Sequence, residues 1–341
     1  MSKQLITLTP LEPWFFGTDR TFRHPDRELQ RDGGYYIRSA DTPSQTTLFG
    51  VLRYLGIENP SADFSLSDDA KGRIGEESFM LCKDNQTFGK IESISPLYLL
   101  DSEDRFYVPT PFDHDGSKDE YSPFSEYTSV QTNHGNRLLP KSYEEKSSLA
   151  GGWMCLDDLT IHTNLFQSIV GVGIDKKKSD EAFFKREKKA FLPPDPKKPN
   201  EKRPNRFAFI AYADFNIPER IVYLGQQKSA FLAKTETLEP PCITFMDENI
   251  AYAQSDLFIK NPKVLYSACE LVIAKLTATR PFVTKYNTDG QNCFSTHHNL
   301  LYLIQAGSVF RPINVKLFKQ ELQNEHAAIA GFNQIIFGGN V

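Results

Sequence analysis

The residues best equipped to act on something outside the chain lie in its first 56 positions. His24 stands among Arg20, Arg23 and Arg27. Metal-free RNA cleavage needs a base near the attacking 2′-hydroxyl and a cation near the scissile phosphate, and a histidine among arginines could supply both. The same residue could instead stack on, or hydrogen-bond to, bound RNA or a neighbouring loop. Trp14, Phe15, Phe16, Phe22, Tyr35 and Tyr36 are interleaved with Arg20, Arg23 and Arg38. Aromatic faces stack unpaired bases while guanidinium groups grip phosphates, a combination suited to single-stranded RNA. Some of these rings are expected in the core, Phe22 and at least one of Phe15 and Phe16 among them.

A strand and a helix must hold this loop. Leu5, Ile6 and Leu8 mark the strand, and Leu48, Val51, Leu52 and Leu55 recur at i, i+3, i+4 and i+7 as one apolar helical stripe. Ser44 after Pro43 fits the N-cap, and Gly56 fits the stop. With Thr46 and Thr47, Ser44 surrounds the free N–H groups of the first turn with hydroxyls, a setting that can hold a phosphate or nucleotide. Arg53 lies at an angle to the stripe, either solvated or reaching for whatever the loop holds.

Other chemistry is thinly represented. Asp113-His114-Asp115 offers metal-type ligands, but alternation in an extended chain separates His114 from the two carboxylates, and a polar loop is the better reading. None of the seven histidines sits in H-E-x-x-H, no Walker or Rossmann glycine string occurs, and Gly171-x-Gly173 lacks the third glycine. The five cysteines are scattered singly, without zinc or disulfide spacing. No cofactor is expected. Without an apolar run near the roughly 20 residues a bilayer requires, and with no leader pattern at the start, a cytoplasmic protein is expected.

The net charge of −4 is unevenly spread. Positions 171–206 hold 12 Lys or Arg against 6 Asp or Glu, leaving −10 for the rest. One basic surface on an acidic body, or else a solvated charged loop, follows from that asymmetry. Five prolines between Leu192 and Asn205 favour a tip that is mobile when alone. Strands are expected at Leu5–Thr9, near Phe79–Cys82, at Ile94–Leu100, Phe106–Val108, Phe207–Tyr212 and Leu300–Gln305. The run from Val264 to Leu276 fits helix or strand, tilting to strand near its end. Positions 113–148 read as a long irregular excursion. At 341 residues, two α+β lobes divided at 1–150 and 151–341 fit best.

Five segments, in order, carry a resemblance. They are Pro10-Leu-Glu-Pro-Trp-Phe-Phe-Gly-Thr-Asp-Arg-Thr-Phe22, Pro43-Ser-Gln-Thr-Thr-Leu-Phe-Gly-Val-Leu-Arg53, Val172-Gly-Ile-Asp175 with Ala182-Phe-Phe184, Tyr223-Leu-Gly-Gln-Gln-Lys-Ser-Ala230, and Gln305-Ala-Gly-Ser-Val-Phe310. Together they resemble the RAMP-superfamily subunit that caps type III CRISPR effector complexes, closest to the third subunit of the Cmr (type III-B) complex. Gly225-Gln226 stands where a double glycine is common, and Gly331–Gly339 is a loose version of the terminal glycine-rich segment, so a type III-D relative stays open.

The resemblance implies two ferredoxin-like (RRM-like) lobes with antiparallel sheets and an inserted basic hairpin or loop at about 175–206. It implies no catalysis, a grip on the 5′ repeat-derived handle of the CRISPR RNA, and a single copy docked to the large polymerase-like subunit and the first backbone subunit. The expected RNA contacts are Arg20, Arg23, Ser44, Thr46, Thr47, Arg53, Lys176, Lys177, Lys178, Lys228, Gly307 and Ser308. The rival reading is a repeat-processing endoribonuclease of the same superfamily with His24 as general base. A polymerising backbone subunit fits less well, because the length exceeds one RRM-like unit.

Overall fold

The computed structural model describes residues 2–17, 35–58, 67–81, 86–116, 119–133, 135–141, 152–174, 183–194, 196–197, 202–225, 228–243, 247–279, 283–286, 292–295 and 301–338. The expected α+β class is met by mostly antiparallel sheets and a few short helices.

The largest sheet is organised around Arg206–Ala213, whose sequence RFAFIAYA is an almost unbroken apolar run. Such a run suits a strand covered on both faces. Phe207, Phe209 and Ala211 enter one core cluster, while Ala208 and Ile210 enter another. Ser2–Pro10 lies beside it, antiparallel, and Ser229–Glu236 and Arg220–Leu224 complete that side. Tyr98–Leu100, Phe106–Pro109, Trp153–Cys155 and Ile161–His162 extend the other side, with Ile91–Ile94 also paired to Arg206–Ala213. Strands from both sides of position 150 therefore share one sheet.

The Gln45–Leu55 helix contributes Leu48, Phe49, Val51, Leu52 and Leu55 to the first cluster, so the apolar stripe does what its spacing predicts. Its Ser44 cap is as expected, but its end is not a left-handed glycine stop. Gly56 has φ −71°, and a β-carbon there would lie 2.6 Å from Ile74 Cγ2 and 2.9 Å from Phe215 Cζ. Close packing, not backbone conformation, requires glycine at that position.

A second sheet joins Cys269–Ile273, Val309–Pro312, Ala251–Ala253 and Ile335–Phe337, all antiparallel. The ambiguous run resolves into a Pro262–Ser267 helix followed by two strands.

Two expectations fail. Phe79–Leu81 forms no strand, because the Gln86 side chain donates to Met80 O and accepts from Met80 N, taking the place of a neighbouring strand. The supposed irregular excursion contains a hairpin, Tyr127–Thr132 paired with Gly135–Pro140. Its Tyr127 and Leu138 pack on Phe124, Leu271 and Ile273, so tertiary contact supplies the order that local periodicity lacks.

Candidate nucleic-acid interface

A long hairpin of Phe166–Ile174 and Phe183–Phe191 is the most basic structural element described. Nine residue pairs hold it in register, from Phe166 opposite Phe191 to Ile174 opposite Phe183. β-branched and aromatic residues favour the pairing, and the returning strand, FFKREKKAF, carries Lys185, Arg186, Lys188 and Lys189. Neighbouring strand residues point to opposite faces. Ile169 and Val170 are nevertheless 41% and 53% exposed, and Phe184–Arg186 of the returning strand pair in parallel with Tyr35–Ile37, making a three-stranded sheet.

Its root is fixed by aromatic packing. Trp14 and Lys189 exchange backbone hydrogen bonds of 2.8 Å in each direction. The buried Trp14 ring packs against Phe166, Phe191, Phe207 and Phe231 at centroid separations of 5.0 to 6.2 Å, and its Nε1 donates to Asp41 O. Trp14, Phe15 and Phe16 are all buried. Their expected stacking on RNA gives way to anchoring the hairpin, because these rings find better partners in one another than in solvent.

At this root lies an open polar cleft of about 390 Å³, lined by Arg38, Ser39, Ala40, Asp41, Glu187 and Lys189. Lys189 Nζ reaches Glu187 at 2.7 Å and Asp41 at 3.1 Å. Burial alone would lower the Lys189 ammonium, yet these two carboxylates outweigh it and hold its pKa above the ordinary value. The buried Glu187 also accepts a 2.5 Å hydrogen bond from Ser168 Oγ. Glu187 thus ties the two strands together and keeps Lys189 charged at the wall of the cleft. Arg186 lies 5.9 Å from the centre of the Phe15 ring, and desolvation lowers its pKa.

Three expected contacts come together beside this cleft in sequence. Ser44 Oγ lies 2.9 Å from Thr46 Oγ1 and 3.0 Å from Thr47 Oγ1, and it accepts from Thr47 N at the helix start. Lys228 is exposed on the tight turn after Gly225, with φ +53°. Arg20, Arg23, His24, Lys176, Lys177 and Lys178 lie outside the described residues.

Three others make contacts within the fold. Arg53 donates from Nε to Ile74 O and from an Nη to Gly75 O, and its guanidinium lies 5.5 Å from the Phe88 ring centre. It caps the last carbonyls of the Asp68–Ile74 helix, where a cation also suits the helix dipole. Ser308 is fully buried and donates to Gln305 O. Gly307 is buried at φ +95°, accepts from Phe112 N and donates to Ala253 O, and a β-carbon would fall 2.7 Å from Thr110 O. That motif joins the two sheets.

Arg38 is one of the arginines the sequence offers for RNA, whereas Lys188, Lys189, Asp41 and Glu187 do not stand out in it. The charge excess over 171–206 contained the hairpin lysines, but proline density drew attention past them, toward 192–205.

The Asp113-His114-Asp115 segment is a folded polar corner, as the sequence favours. Asp113 accepts from Tyr121 OH at 2.9 Å, and His114 Nδ1 accepts from Ser122 N. Among the described residues no cluster of three or more His, Cys, Asp or Glu could hold a metal ion. Burial pushes the Asp113 carboxyl up to about 6, against the hydrogen bond from Tyr121. Its folded pKa thus exceeds the unfolded one, near 4. The stability it contributes is complete below about pH 4 and is lost as pH rises through 6. Urea melts of Asp113→Asn beside the wild type should show the variant gaining about 2 kcal/mol relative to wild type between pH 4 and pH 7. A difference that stays constant with pH would refute the assignment.

Comparison with known proteins places these features. The fold is shared with chains of two cryo-EM structures of type III-B Cmr-β. One is bound to cognate target RNA, with TM-score 0.51, 14% identity, and coverage of 98% of this chain and 96% of that one. The other, bound to cognate target RNA and AMPPnP in state 1, gives TM-score 0.50 and 14% identity, covering 97% and 96%. No curated protein gives a significant match. Residues 6–160 match the model of the family described as CRISPR-associated protein (Cas_Cmr3), the family that the sequence motifs resemble. Among the described residues, no helix is long and apolar enough to cross a membrane.

Proposed function

We propose that this chain is the Cmr3-type subunit of a cytoplasmic type III-B CRISPR effector complex, holding the 5′ repeat-derived handle of the CRISPR RNA without cleaving it. The observation that carries this reading is the basic hairpin with a polar cleft at its root. The cleft accommodates the sugar–phosphate chain where it bends, and the hairpin lies where handle meets guide. Ser44, Thr46, Thr47, Lys228, Arg20, Arg23 and the lysines at 176–178 complete the grip. The two sheets are elaborated ferredoxin-like lobes. A single copy caps the complex, docked to the large polymerase-like subunit and the first backbone subunit. Target sequence is read by base pairing, and this subunit supplies placement.

Fluorescence anisotropy with labelled handle RNA over a salt series tests the reading. Affinity should fall steeply with salt. Lys188→Ala together with Lys185→Ala should weaken binding severalfold and reduce the log–log salt slope by about 1.4, roughly 0.7 for each lost single-strand phosphate contact. Equal affinity for unrelated RNA of the same length would defeat handle recognition, and metal-free cleavage of repeat RNA would defeat the non-catalytic assignment.

A further inference from the structure

A second pair of strands lies against the other sheet, where Ile304 bridges to Leu257. Leu276–Thr279 pairs antiparallel with Leu301–Ile304, placing Leu276 opposite Ile304 and Ala278 opposite Tyr302. Farther along the same two runs of chain, Val283–Tyr286 pairs with Asn292–Ser295 in the same sense. The two faces of the inner pair differ. On one, Leu303 is buried in the main core and Leu301 packs against it. On the other, Ile304 is buried in the core of the second sheet, but Leu276 is 56% and Tyr302 is 63% exposed, and Ala278 is open beside them.

A sheet with one face packed on the core ordinarily turns polar side chains outward. Here the outward residues are leucine, alanine and tyrosine, without a charge, in a chain whose residues are 24% charged. We propose that this outward face docks an apolar patch on a different protein subunit of the assembly, an inference that rests on the effector-complex reading above.

Charge selects the kind of partner. RNA binding depends on cations that neutralise phosphates, and the basic hairpin has them where this face has none. Tyrosine and aliphatic anchors without charge match the centre of a protein–protein interface. Size argues against a second copy of this chain. The open leucine and tyrosine surface is on the order of 250 Å², well short of the roughly 800 Å² per partner in a stable free-standing interface. A subunit already held on the same RNA gains effective concentration, so a small contact there contributes strongly.

The test is photo-crosslinking from position 302, with Tyr302→p-benzoylphenylalanine in the RNA-containing complex purified from the native host. Mass spectrometry should find an adduct with one other protein subunit. An adduct with RNA, an adduct with a second copy of this chain, or no adduct overturns the proposal. In parallel, the full chain carrying Leu276→Glu and Tyr302→Glu should be retained in the complex at least tenfold less than wild type, while its own affinity for handle RNA is unchanged. Wild-type retention of that variant also overturns it. If the wild-type chain binds no handle RNA, the RNA-holding reading falls by itself, and the cross-link still decides the docking surface.

Discussion

Trp14→Ala should cost about 4 kcal/mol of folding stability and lower the melting temperature by about 6 °C. It should also loosen the basic hairpin. Trp14 is fully buried at the meeting point of Phe166 and Phe191 from the hairpin and Phe207 and Phe231 from the main sheet. Removing the indole leaves a cavity that four rings cannot all close, and Asp41 O loses its Nε1 donor. The backbone bridge to Lys189 and the Phe191–Phe207 ring contact remain, but they hold the hairpin's angle to the sheet less firmly. Thermal melts give the first effect. Hydrogen exchange gives the second, with protection falling over 166–174 and 183–191 more than over 206–213. A uniform loss across both regions would show that Trp14 is ordinary core and no anchor.

Gly225→Ala should be the next most damaging change, at about 3 kcal/mol or more, combining left-handed backbone strain with a steric clash. Gly225 sits at φ +72°, and an added β-carbon would fall 2.2 Å from Phe15 O. That oxygen is backbone, so no side-chain rotation relieves the contact. The turn carries Ser229, whose hydroxyl accepts from Phe15 N, and Ala230, which bonds to Leu11 and Glu12. Displacing it therefore disturbs the segment leading to Trp14. Gly50→Ala supplies the contrast: it is exposed in the Gln45–Leu55 helix with nothing within 4 Å of its would-be β-carbon. There the exchange should stabilise by about 0.5–1 kcal/mol. Chemical denaturation of the two variants should thus move midpoints in opposite directions, and a shared direction would contradict the account of the turn.

The main elements were legible where periodicity was strong. Ser2–Pro10, Arg206–Ala213 and the capped Gln45–Leu55 helix follow from local pattern. The basic hairpin was sensed but displaced, because lysine and proline dominate 175–206 while the pairing residues lie in FQSIVGVGI and FFKREKKAF. The prolines follow the second strand and mark the return to the body.

Individual contacts were less legible. An arginine that reaches a helix's terminal carbonyls and one that reaches a phosphate have the same appearance in a sequence, since both donate to oxygen. Arg53 took the internal oxygens. Gly307 and Ser308 present the same ambiguity, because a glycine needed for close backbone approach serves a sheet junction as well as a ligand. The charge pairing of Lys189 could not be foreseen, since Asp41 is brought to it only by the tertiary fold.

The central position of Ser2–Pro10 has a consequence for how the molecule comes into being. It pairs on one side with Arg206–Ala213 and on the other with Ser229–Glu236, and its first hydrogen bond to Ala213 spans 211 positions. Contacts so distant are slow to form, and until they do the strand's edges stand open. During synthesis the basic hairpin sequence therefore emerges before the sheet that anchors it can close. Fragments ending before Glu236 should aggregate, and the two ends of this sheet should gain protection together during refolding.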